Sequence, residues 1–203
     1  MRQLQLESVD LMLIHFPASW TGTGGAALRK EEWLALESIY KSGAARSIGL
    51  SHYCSQHIDD VLEVATVAPT VNQVEYHVGS GDIDHVMQKC AENKIWFMSF
   101  SPLCGPCTYT PENSLIDGDL VTSIAEKYNV TGSQVSLRWI VQQAIPGAPG
   151  AREYVAGVIP KSDTPSHIAS NIDLFGFELS ERDMDLLTAA SKPRATGGDC
   201  SVP

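Results

Sequence analysis

Ile159-Pro160-Lys161-Ser162-Asp163-Thr164-Pro165 is the stretch on which the fold turns. An apolar run from Val155 to Pro160 hands the chain to a lysine and a hydroxyl, and then to a helix start. Thr164 is the expected N-cap, with Pro165 at the first helical position, where a missing N–H costs nothing. A strand that ends at a helix N-terminus is the junction of a βα unit. A cation and a hydroxyl beside free backbone N–H groups also make a phosphate-shaped site. The plainer reading of the same residues is a surface lysine in an ordinary strand-to-helix loop.

The rest of the chain repeats that junction. Strands are expected at Val9 to Phe16 (buried), Arg46 to Leu50, Thr70 to Tyr76, Ile95 to Phe100 and Val155 to Pro160. Helices are expected at Glu31 to Lys41, Ser55 to Ala65, Ile83 to Asn93, Leu120 to Tyr128, Ser133 to Gln143 and Pro165 to Leu174. Thr131 is a plausible N-cap, and Ser180 to Asp183 opens a last helix to Ala190 as a capping-box variant. In the first four units the strands recur every ~25 to 35 residues, the usual βα repeat. Apolar strands alternating with amphipathic helices imply a parallel sheet covered by helices, either doubly wound or a (β/α) barrel. Pro146 to Arg152 reads as an extra loop before the fifth strand.

Composition narrows the function. A formal charge of −10 over 203 residues repels nucleic acid and anionic membrane as general partners. No apolar run approaches the ~20 residues that span a bilayer, and the N-terminus has no signal-peptide core. Five cysteines, an odd number without a secretory signal, point to reduced thiols and a cytoplasmic setting. No G-x-G-x-x-G follows a strand, so the usual dinucleotide turn is absent.

In a parallel barrel, function gathers at the C-terminal strand ends. Those positions hold His15-Phe16-Pro17, Ser51-His52-Tyr53, Asn72-Gln73 with Glu75, Phe100-Ser101-Pro102, and Lys161-Ser162. Amides that hydrogen-bond and a ring that stacks suit a flat, amide-bearing heterocycle; the Lys-Ser pair suits a phosphate.

These residues carry a resemblance. Val9-Asp10-Leu11-Met12-Leu13-Ile14-His15-Phe16-Pro17 looks like the fourth strand of aldo-keto reductases, and Arg46-Ser47-Ile48-Gly49-Leu50-Ser51-His52-Tyr53 the fifth. Asn72-Gln73-Val74-Glu75-Tyr76-His77 and Ser99-Phe100-Ser101-Pro102-Leu103 resemble the sixth and seventh, and Ile159 to Pro165, continuing to Asn171, the phosphate-binding signature. The resemblance runs from Leu4 to about Ala190 and implies a (β/α)8 barrel that reduces aldehydes or ketones with NADPH.

By position in that resemblance, His15 would orient the substrate carbonyl. Ser51, His52 and Gln73 would face the nicotinamide carboxamide. Phe100 would stack on the nicotinamide, flanked by Ser101 and Leu103 at the cofactor. Lys161, Ser162, His167 and Asn171 would meet the 2′-phosphate and adenine, and Trp20 would line the substrate pocket. Phe100 stands where the family usually has tyrosine, His52 where it usually has asparagine, and His167 where it usually has arginine. Losing arginine's permanent fork weakens the expected preference for NADPH over NADH. Ser170 replaces the family's usual acidic residue near the adenine.

The family's proton donor, a tyrosine tuned by lysine and aspartate, belongs to strands that precede Val9 in the aligned frame. General acid catalysis is typically worth ~10²–10⁴-fold. The expectation is therefore an incomplete barrel over residues 1–191, about five-eighths of the whole, with a loose tail over 192–203. Two open sheet edges would favour self-association. The alternative is a non-catalytic remnant or pseudoenzyme half-barrel that still binds a nucleotide. A third reading, thiol-disulfide chemistry, rests on Cys104-Gly105-Pro106-Cys107, but Thr108 to Pro111 after it is loop-like, without the helix N-terminus that activates such a thiol. A single C-x-x-C lacks the second pair of a structural zinc site, so no metal is expected. Trp33, Trp96 and Trp139 read as core, and His77 and His85 as surface or loop-packing residues.

Overall fold

The computed structural model describes residues 3–18, 24–104, 114–190 and Cys200. Its strands are β1 (Val9–Ile14), β2 (Ala45–Ser51), β3 (Val71–Glu75), β4 (Trp96–Phe100) and β5 (Val155–Ile159). Between and after them run α1 (Gly25–Lys41), α2 (Ser55–Val64), α3 (Val86–Glu92), α4 (Asp119–Tyr128), α5 (Gly132–Gln142), α6 (Pro165–Ile172) and α7 (Glu181–Ala190). The strands form one five-stranded parallel sheet in the order β1-β2-β3-β4-β5, as βα alternation requires. The chain divides into two compact units, residues 1–74, 84–97 and 195–203, and residues 75–83 and 98–194.

In the first unit, β1 pairs with β2 from Val9 opposite Ala45 to Ile14 opposite Leu50. β2 pairs with β3 through Leu50 opposite Asn72 and Ser51 opposite Gln73. Gly49 permits this approach, because a Cβ there would collide with the Val71 carbonyl oxygen and reach Leu13 at 3.0 Å. Trp33, Leu36, Ile48, Leu50, Ile58 and Ile95 are buried in the core. The helices are tied by polar contacts: Arg29, almost fully buried, bonds Asp60 at 2.7 Å and joins α1 to α2. Glu37, 1% exposed, accepts the Thr66 N–H at 2.6 Å, the Val67 N–H at 2.9 Å and the Thr66 hydroxyl. Burial alone would raise its carboxyl, but these bonds and Lys41 outweigh it and hold the group down at about 2.

Several expectations fail here. β1 ends at Ile14 and is half-exposed, not buried, with Leu11 and Met12 open to solvent. It lies at the end of the strand order, with one neighbour in the sheet. Helix α1 begins at Gly25, six residues before Glu31, from a left-handed Gly24. Asp84 and His85 both have positive φ, so a short 3₁₀ turn at Ile83–His85 precedes α3. Trp96 is 45% exposed, since alternation along β4 turns Phe97 and Ser99 inward instead. The reading of reduced thiols is overturned: Cys54 and Cys200, 146 residues apart, are disulfide-bonded across a Cα separation of 5.3 Å. Cys104 is disulfide-bonded as well, and Cys90 is a buried thiol that accepts from the Asn72 side-chain amide at 3.9 Å. Cysteine parity carries no information about which residues the fold makes neighbours, so it says nothing of compartment here. No described helix is long and apolar enough to cross a membrane.

The second unit is built on α5. Thr131 caps it as expected: its hydroxyl accepts the Gln134 N–H at 3.2 Å, and Gln134 Oε1 accepts the Thr131 N–H at 3.0 Å. Trp139 stacks on Tyr76 at 5.0 Å, and the Tyr76 hydroxyl donates to Gln143. Gln142 bonds both the N–H and the carbonyl of Leu179. The Pro146 to Arg152 segment is a chain of turns with Gly147 and Gly150 at positive φ. Gln142 Nε2 donates to the Pro149 carbonyl and the Arg152 N–H donates to the Gln143 carbonyl, which fasten it to the end of α5. Ser180 opens α7, its hydroxyl accepting the Asp183 N–H. His77, expected at the surface or packed in a loop, is fully buried in the turn after β3. The remainder of the 192–203 tail beyond Cys200 lies outside the described residues.

Candidate active site

In the first unit, the ends of β1 and β2 and the middle of β3 assemble one hydrogen-bonded group. Ser51 closes β2 with its side chain buried, and its hydroxyl donates to the Gln73 carbonyl at 3.1 Å. His52 Nδ1 stands 2.9 Å from the His15 carbonyl. A carbonyl only accepts, so Nδ1 carries the proton in this tautomer. The Ser51 hydroxyl, 3.0 Å from the same nitrogen, takes the second branch of that bond. The His52 N–H donates to the Gln73 carbonyl, so backbone and side chain both lock the turn.

His52 has φ +62, a left-handed conformation in which asparagine and histidine are enriched. Backbone geometry thus accepts histidine here, and its ring adds something a carboxamide would not. Phe16 stacks on it at 4.3 Å, and His15 packs against both rings at 4.3 Å and 5.4 Å. This aromatic cluster is invisible in the sequence, because its members come from the segments that follow two different strands. His15 itself is exposed and Gln73 half-buried. Trp20 lies outside the described residues.

Tyr53 follows immediately, fully buried, its hydroxyl without a hydrogen-bond partner. Burial, helped by the Glu32 carboxylate, pushes that hydroxyl well above the usual tyrosine range. Tyr76 in the second unit is likewise pushed up to about 12 by burial. Neither is an effective proton donor at neutral pH, since loss of the proton would leave a buried anion.

In the second unit, Phe100 ends β4 half-buried, and its carbonyl accepts the Tyr76 N–H at 3.4 Å. Ser101 and Cys104 both have positive φ, and the Cys104 N–H closes a tight turn on the Ser101 carbonyl at 2.7 Å around the half-buried Leu103. Beyond β5, Thr164 caps α6 in position only: its side chain makes no cap bond. Ser162 accepts the Thr164 N–H instead, at 3.2 Å, which draws the loop into a turn before the helix. Lys161 is exposed and paired with the exposed Asp163. His167 is exposed on α6, while Asn171 is buried on its inner face.

The family profile described as "Aldo/keto reductase family" matches residues 1–192. The chain is 35% identical over 197 residues to the glyoxal reductase of Bacillus subtilis (strain 168), covering 97% of this chain and 62% of that protein. It is 35% identical over 205 residues to aldo-keto reductase family 1 member A1 of Sus scrofa, covering 93% and 59%. The solved aldo-keto reductase MGS-M4, from a Medee basin deep-sea metagenome library, superposes with a TM-score of 0.80 at 28% identity, covering 97% of this chain and 64% of that one. The chain spans about three fifths of the length of the curated relatives it matches.

Proposed function

This chain belongs to the aldo/keto reductase family, and we propose that its residues supply the cofactor-facing part of an NADPH-dependent reductase of aldehydes or ketones. When bound, the nicotinamide would supply hydride to the carbonyl carbon; the residues of this chain bind, orient and exclude water.

The observation that carries the reading is the buried Ser51 hydroxyl. It donates to the Gln73 carbonyl and accepts from His52 Nδ1, which leaves one lone pair for an incoming N–H. An amide N–H fits that vacancy, and Gln73 stands opposite Ser51 in the β2–β3 register. In this reading Ser51 and Gln73 hold a carboxamide, His15 hydrogen-bonds the substrate carbonyl oxygen, and the Phe100 ring stacks on the heterocycle with Ser101 and Leu103 beside it. Lys161 and Ser162 face the 2′-phosphate, with His167 and Asn171 towards the adenine. The Asp163 carboxylate opposes an anion next to Lys161, so a phosphate must compete with it.

We further propose that these 203 residues alone bind the nucleotide with little turnover. Protonation of the product alkoxide needs a positioned acid, and the buried Tyr53 and Tyr76 hydroxyls do not offer one. Exposed Leu11 and Met12 on β1 and Ile159 on β5 are the surfaces through which the chain would self-associate.

The test is NADPH binding by quenching of tryptophan fluorescence, alongside NADPH-dependent reduction of an aromatic aldehyde. Binding that weakens about tenfold in Ser51→Ala is the expected result. A folded chain that binds no NADPH sinks the cofactor assignment, and rapid turnover sinks the claim of impaired chemistry.

A further inference from the structure

We propose that Glu75, His77 and Cys104 form a Zn²⁺ site that exists when the Cys104 disulfide is reduced and is abolished when it is oxidised. One ligand atom from each of the three residues lies within 4.8 Å of the other two. Glu75 ends β3, His77 follows two residues on, and Cys104 sits in the turn after β4. His77 and Cys104 are buried and Glu75 is partly exposed, so the site is sheltered yet reachable. A tetrahedral zinc ion with bonds of roughly 2.0–2.3 Å holds its ligand atoms roughly 3.3–3.8 Å apart, so a small inward movement completes the set.

The setting of His77 supplies the second argument. Its ring lies between two acceptors: Nδ1 is 3.3 Å from the Val78 carbonyl and Nε2 is 3.3 Å from Glu75 Oε1. A metal ion on Nε2 would leave Nδ1 to donate to the Val78 carbonyl. Zinc-binding histidines characteristically donate their other N–H to a backbone carbonyl. Ser80 stiffens the turn further: its hydroxyl accepts the His77 N–H at 3.0 Å and donates to the His77 carbonyl.

The donor set selects the ion. Thiolate, imidazole and carboxylate together suit Zn²⁺, whereas Mg²⁺ and Ca²⁺ take oxygen ligands. Three protein ligands leave the fourth position of a tetrahedron open. In the disulfide, Cys104 sulfur has neither the charge nor the free valence to bind. A phosphine reductant cleaves the S–S bond, leaving two thiols and the phosphine oxide, whose oxygen comes from water. Zn²⁺ then displaces the Cys104 thiol proton to solvent. A second group, Cys54, Asp84 and Cys200, also lies within 4.8 Å. It lacks an imidazole, and Asp84 Oδ2 is already committed to the Ser55 N–H.

The test uses the full 203-residue chain carrying Cys54→Ser and Cys200→Ser, which removes that second group. Co²⁺ is added before and after phosphine reduction, and Zn²⁺ affinity is read by competition with a chromophoric chelator. The expected result is one Zn²⁺ per reduced chain, thiolate-to-cobalt charge-transfer absorption, and binding at least about 100-fold weaker in the oxidised protein. Glu75→Gln, nearly isosteric and partly exposed, and Cys104→Ser each weaken binding about 10–100-fold. His77→Ala is expected to abolish it, and if that variant does not fold, the other two decide. Absence of the charge-transfer band in the reduced chain, or equal Zn²⁺ affinity in the parent and Glu75→Gln, overturns the proposal.

Discussion

The Ser51 group and the Lys161 loop, which the family resemblance turns towards one cofactor, are physically unlike. Ser51 is buried, and its hydroxyl is already held by the His52 ring and the Gln73 carbonyl. Lys161 and Asp163 are exposed and held by each other, and Ser162 Oγ accepts the Thr164 N–H. The first region is preorganised by the sheet, so binding there costs little ordering and its residues are tied to stability. The second is an electrostatic contact in high dielectric, weak and sensitive to salt.

That contrast breaks most readily beneath Ser51. Gly49→Val drives a side chain into the Val71 carbonyl between β2 and β3 and is expected to cost about 3 kcal/mol or more. The urea midpoint should fall and NADPH binding should go with it; an unchanged midpoint would mean the strands are not held at this spacing.

Acid titration gives the next effect. The Glu37 carboxyl titrates lower folded, at about 2, than its usual 4.5. Its stabilisation is therefore complete above the unfolded value and is lost as the pH falls from about 4.5 towards 2, up to about 3 kcal/mol. Glu37→Gln should flatten that acid limb and lower stability at neutral pH. A Gln variant with the parent's pH profile would show that the carboxylate is not the group responsible.

Ser51→Ala comes third, with about a tenfold loss of NADPH affinity that 0.1 M and 0.5 M salt change equally little. The Lys161 loop gives the smallest shifts. Lys161→Ala is expected to weaken NADPH about threefold, leave NADH unchanged, and lose its effect at high salt, while Asp163→Asn strengthens NADPH about twofold. Should Lys161→Ala outweigh Ser51→Ala at high salt, the contrast between the two regions is wrong.

Much of the architecture was legible because it depends on local pattern. Apolar runs at βα spacing, the Thr131 capping box and the strand-end positions of Ser51 and Phe100 all follow from neighbours in the chain. Errors fell where local pattern is overruled. Thr164 looked like a cap by residue type, but Ser162 Oγ accepts the Thr164 N–H and the Thr164 side chain makes no cap bond. Trp96 looked like core by hydrophobicity, but its place in the β4 alternation turned it outward. The Pro146 to Arg152 segment had no account in the sequence, since its anchors are Gln142 and Gln143 on the preceding helix.

What the sequence determined by itself is the order of the elements, the family, and which residues stand at strand ends, because these rest on residue type and short-range periodicity. Which distant side chains share a volume was decided only by the tertiary structure. The C-x-x-C around Cys104 lacked partners when read along the chain. Folding brings Glu75 and His77 to Cys104, and Cys200 to Cys54, across separations that no periodicity encodes. The ring cluster of His15, Phe16 and His52 arises the same way. Strand register places atoms to within a bond length, and chemistry between side chains depends on distances of that order.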